Sequence, residues 1–75
     1  MIKEPSLLVN YGKEIWYMVG GIGGERVGVK VYDITGRCVS RMEAKAGSIG
    51  RITGLPSGVY FVRIGERIFK GVVVK

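Results

Sequence analysis

Histidine is absent from this 75-residue sequence, cysteine occurs once and proline twice. Without His the chain lacks the commonest general base and the commonest metal ligand. A lone Cys closes no internal disulfide and builds no zinc site by itself. These absences speak against an enzyme, and no metal or cofactor is expected. No apolar run approaches the ~20 residues that span a membrane. No secretion signal opens the chain either, because Glu4 and Pro5 follow Lys3 at once and Asn10, Gly12 and Lys13 cut the next apolar stretch. At this length one small domain over residues 1–75 is expected, burying about 60% of its unfolded surface.

Carboxylates are scarce in the last two thirds. Residues 1–25 hold two Lys against three Glu, a net of −1, whereas residues 26–75 hold ten Lys or Arg against Asp33, Glu43 and Glu66, a net of +7. A basic surface suits an anionic partner such as nucleic acid, lipid headgroups or acidic glycan. The plainer account of a net charge of +6 is solubility, and it is preferred here.

Thirteen glycines punctuate short segments rich in Val, Ile, Tyr and Phe, and no stretch sustains a helical period with caps. The pattern is all-β. Seven strands are expected near residues 6–10, 14–19, 26–34, 37–44, 48–53, 58–64 and 67–74, which fits a sandwich or a small barrel. Gly20-Gly21-Ile22-Gly23-Gly24 reads as a flexible connection. A phosphate-cradling loop would need a helix after it, and a strand follows instead.

Three reversals carry their own chemistry. Asp33 precedes Thr35-Gly36, where Gly36 can take positive φ and the Asp33 carboxylate can accept turn amides. Gly54-Leu55-Pro56-Ser57-Gly58 fixes φ at Pro56 and returns to a strand at Gly58. Gly65-Glu66 has glycine first, as a type II′ hairpin prefers.

Alternation assigns faces. Tyr60, Val62 and Ile64 share one side of their strand and are expected in the core, with the Tyr60 hydroxyl reaching a backbone partner. Phe61 and Arg63 share the wetter side. Trp16 and Tyr17 face apart. In the last strand Ile68, Lys70, Val72 and Val74 alternate with Phe69, Gly71, Val73 and Lys75, and neither side is purely polar. Such a strand is either central or an edge covered by something else. Cys38, aligned with Ser40, Met42 and Ala44, is expected to be a buried thiol.

Three stretches together resemble the type A C-terminal sorting domain of type IX secretion cargo. They are Val29-Lys30-Val31-Tyr32-Asp33-Ile34-Thr35-Gly36-Arg37, then Gly54-Leu55-Pro56-Ser57-Gly58-Val59-Tyr60-Phe61-Val62-Arg63-Ile64, and finally Lys70-Gly71-Val72-Val73-Val74-Lys75. The resemblance covers residues 26–75 and extends to the related immunoglobulin-like domain of flagellar hook-capping proteins, which shares the Gly-Val-Tyr block. It implies a small immunoglobulin-like antiparallel β-sandwich of about seven strands and a non-catalytic address on a larger exported protein. On that basis Met1 marks a domain boundary, the cargo lies upstream and Lys75 is the true end of the polypeptide. The implied partners are the outer-membrane translocon and a sortase-like cysteine peptidase. The implied location runs from periplasm to cell surface or extracellular space.

The expected partner-binding residues are Phe61, Arg63, Phe69, Lys70, Val72, Val73, Val74 and Lys75, and the expected turn-formers are Asp33, Gly36, Gly58 and Gly65. Recognition would use the terminal strand, by strand addition or by docking the intact edge. Two other classes stand beside this one. A basic β-domain binding nucleic acid would want Phe61 and Arg63 as a stacking pair, although no nucleic acid is expected as a partner. A glycan-binding accessory sandwich of an extracellular enzyme would want an exposed Trp16 or Phe61 platform.

Overall fold

The computed structural model describes residues 4–21 and 25–75. Its strands are β1 (Ser6–Val9), β2 (Tyr11–Gly12), β3 (Ile15–Met18), β4 (Arg26–Asp33), β5 (Cys38–Lys45), β6 (Ile49–Ile52), β7 (Gly58–Ile64) and β8 (Arg67–Val73). They form a three-stranded sheet in the order β1-β3-β6 and a five-stranded sheet in the order β2-β8-β7-β4-β5. The arrangement is that of a small β-sandwich, as expected. Residues 22–24 of the glycine-rich connection lie outside the described residues.

Among the described residues there are eight strands, because the short β2 lies at Tyr11–Gly12, between the expected segments 6–10 and 14–19. β1 stays with β3, bulging between Leu7 and Val9. Past Asn10 the chain crosses to the other sheet, and Tyr11 and Gly12 pair with Val72 and Val73 in parallel. The sandwich is thus antiparallel except at this one pair. Val72 N–H donates to the Asn10 carbonyl at 2.8 Å and Val74 N–H to the Gly12 carbonyl at 2.9 Å.

Alternation fills the space between the sheets. Ile15, Tyr17 and Val19 on or just after β3 face Val29 and Val31 of β4, Tyr60, Val62 and Ile64 of β7, and Val73 of β8. Register aligns Val31 with Val62 and Val29 with Ile64, so β-branched side chains lie side by side in the layer. Two glycines make room for it. A Cβ at Gly71 would stand 2.8 Å from Ile15 Cδ1, and one at Gly50 would overlap the Tyr17 ring, which lies across that glycine. Tyr17 spans the layer and its hydroxyl donates to Met42 Sδ at 3.3 Å. Burial pushes its phenol pKa up.

Cys38 departs from expectation, for it is exposed, with Sγ 3.4 Å from the Ser40 carbonyl oxygen. The β4–β5 ladder slips between Val31 and Tyr32, so that Tyr32 opposes Cys38 while Val31 opposes Ser40. Val39 is the extra residue. A bulge breaks the two-residue alternation that would have placed Cys38 beside Met42.

Candidate functional site

The turn-formers come first because they set the ends of β4, β7 and β8. At the β4–β5 reversal one Asp33 oxygen, Oδ1, accepts from Thr35 N–H at 2.9 Å, Thr35 Oγ1 at 2.6 Å and Arg37 N–H at 3.0 Å. Gly36 N–H donates to the Asp33 carbonyl at 2.9 Å, and Gly36 takes φ of 89°. The Thr35 hydroxyl foremost holds the Asp33 carboxyl below its ordinary range; burial, the next largest effect, opposes it, and the Arg37 and Thr35 backbone amides and the Arg37 charge add to the lowering. Between β7 and β8, Gly65 has φ of 61° and no residue other than glycine has positive φ among the described residues. That combination fits the type II′ hairpin expected for Gly65-Glu66.

The loop before β7 is a clasp on the C-terminal strand. Leu55 is buried in the core, while the Pro56 carbonyl accepts the Tyr60 hydroxyl at 2.7 Å, so Tyr60 braces the loop that precedes its own strand. Ser57 Oγ accepts Lys75 N–H at 3.0 Å, and Gly58 opens β7 opposite Val73. The Gly-Leu-Pro-Ser-Gly-Val-Tyr block therefore supplies two core side chains, Leu55 and Tyr60, a carbonyl that accepts the Tyr60 hydroxyl, an anchor for Lys75 and the start of the neighbouring strand.

β8 is paired with β7 from Arg67 to Val73, and on its other side β2 covers only Val72 and Val73. It is an edge that is half covered. The expected partner-binding residues divide between two faces. Phe61, 38% exposed, lies outward with Arg63, Lys70 and Val72, and Val74 and Lys75 are exposed beyond the strand. Val73 is 2% exposed and Phe69 packs against the core, so their side chains point away from solvent. Arg63 Nε donates to the Gly65 carbonyl at 3.0 Å. Sequence reasoning missed Asn10, Gly12 and Ser57, whose backbone and hydroxyl oxygens hold the terminal strand. Of these only Ser57 sits inside a recognisable block.

The aromatic platforms are modest. Trp16 is half exposed on the three-stranded sheet, and the Arg51 guanidinium lies 5.8 Å from its ring centroid, taking one ring face. Phe61 stands opposite Tyr32 and Lys70 in the register.

A three-stranded and a five-stranded sheet packed on one apolar layer, with β8 held between β7 and the short parallel β2, define a small domain of the β-sandwich class. The sequence matches the secretion system C-terminal sorting domain over residues 13–75, and the chain belongs to that family. The match begins at Lys13 and so takes in β3 as well as the three blocks that carry the resemblance. No curated protein and no solved structure matches the chain significantly. Domains of this family are sorting signals of type IX secretion, which mark proteins for the cell surface or the extracellular space.

Proposed function

We propose that this domain directs a cargo fused upstream of it through the type IX outer-membrane translocon, and that the translocon docks on the folded end of β8. A sortase-like peptidase then acts on the delivered protein. The observation that carries the reading is the family match over residues 13–75 together with the clasp at Ser57, which tethers the backbone of Lys75 while Val74 and Lys75 remain exposed. Pulling β8 out would break seven register pairs with β7 and bare Val73, so docking of the intact end is favoured over extraction. The contacts assigned to the partner are Phe61, Arg63, Lys70, Val72, Val74 and Lys75. Phe69 and Val73 serve by holding the strand in place.

The test is a reporter carrying an export signal, fused ahead of residues 1–75 in a host bearing the machinery. Removing Val74 and Lys75 leaves every core residue and is expected to keep the fold, checked by an unchanged far-UV spectrum, while the reporter stays in the periplasm. Undiminished surface delivery of that folded variant would overturn the role of the strand end.

A further inference from the structure

The outward face of the five-stranded sheet is crowded with cations. Arg26, Lys30, Arg41, Lys45, Arg63 and Lys70 all point from it, and the only strand carboxylate among them is Glu43. Register sets like charges against each other: Arg26 opposes Lys45, and Lys30 is flanked by Arg41 on one side and Arg63 on the other. Glu43 opposes Gly28 and so meets no cation directly across the ladder. The ion pairs among the described residues join Arg37 to Asp33, Arg51 to Glu14 and Arg67 to Glu4, and none draws on these six. Like charges directly opposite destabilise a sheet, so the fold keeps this row at a cost.

The row also lines a trough. A depression of about 210 Å³ bounded by Gly28, Lys30, Arg63 and Gly65 meets a second of about 400 Å³ bounded by Gly28, Lys30, Arg41, Met42 and Glu43. Gly28 opens the floor, since a Cβ there would touch nothing within 4 Å. At a strand spacing of about 4.8 Å, Arg41, Lys30 and Arg63 stretch over about 10 Å. The face turns apolar toward its other end. Ile68, 66% exposed, stands opposite Arg63, and Phe61, Val59 and Val72 follow along the strands.

We propose that this face docks on a membrane surface rich in anionic phosphate headgroups, the cationic row taking the phosphates and Ile68 and Phe61 resting at the headgroup boundary. A dissolved polyanion would use the cations but gain little from Ile68, Val59 and Val72, whereas a charged lipid surface uses both. The inference goes beyond the sorting reading: it shares Phe61, Arg63, Lys70 and Val72 with the contacts proposed there, but it rests on Lys30 and Arg41, which that reading does not use.

Co-sedimentation of the 75-residue chain with vesicles of phosphatidylglycerol in phosphatidylcholine tests it, with phosphatidylcholine alone as the neutral arm. Binding to the anionic vesicles only, weakening as salt rises, is expected. Lys30→Gln should weaken it about fivefold. Arg51→Gln removes the same charge from the opposite sheet and should bind as the parent does. Lys30→Glu should abolish binding yet raise the melting temperature, because it turns two like-charge pairs into opposite ones. The proposal is overturned by no binding to anionic vesicles, by equal losses from Lys30→Gln and Arg51→Gln, or by tighter binding to a single-stranded oligonucleotide than to the vesicles.

Discussion

Asp33 gathers three donors on one carboxylate oxygen, and that geometry has a consequence in acid. Its folded pKa lies below the ordinary value of 3.8, so its contribution favours the fold above that value and is lost as pH falls through the lowered one. Asp33→Asn is expected to lower the melting temperature at neutral pH and to flatten the acid side of the melting profile, read by circular dichroism from neutral pH downward. Parallel acid limbs for parent and variant would remove the carboxylate from the account. Two further residue-scale changes probe packing. Gly71→Ala pushes a methyl against Ile15 and should destabilise by about 1–3 kcal/mol in urea unfolding with an unchanged slope. Tyr60→Phe deletes one buried hydrogen bond to Pro56 and should cost about 0.5–1.5 kcal/mol by the same measurement.

At the scale of elements, the half-covered state of β8 gives a pattern of amide protection. Val72 and Val74 N–H groups are held by Asn10 and Gly12, and the amides of Phe69, Gly71 and Val73 point toward β7. Those of Ile68 and Lys70 point to the side that β2 does not reach. Hydrogen exchange should therefore be slow at Val72 and Val73 and fast at Ile68 and Lys70. Equal protection along the strand would mean that another segment covers it.

The same elements show what the sequence alone could tell. Residues 58–64 were legible because Tyr60, Val62 and Ile64 alternate with Arg63 between two glycine-marked turns, and β4 and its Asp33 reversal were legible for the same reason. The break at Asn10 was not, since Leu7-Leu8-Val9 runs smoothly into it and a parallel partner more than fifty residues away leaves no local mark. The bulge that exposes Cys38 was hidden because an extra residue in one strand is defined only against its neighbour. Which side of β8 faces solvent was legible only in half, as both faces carry apolar residues and only the layer between the sheets decides that Val73 turns inward while Val74 does not.

Over the whole molecule, two sheets of unequal size hold β8, which pairs with β7 along its length and whose following residues, Val74 and Lys75, are tethered by their backbone amides and exposed. Its family places it among the sorting signals of type IX secretion. The membrane-docking face and the translocon contact proposed above share Phe61, Arg63, Lys70 and Val72, but Lys30 and Arg41 belong to the first alone and Val74 and Lys75 to the second alone, so variants at those positions test each separately. The most direct test of the central claim is fractionation of a reporter fused ahead of residues 1–75 in paired hosts with and without a working type IX translocon. The account predicts reporter at the cell surface or in the medium in the first and confined to the periplasm in the second. Equal distribution in both hosts would contradict it.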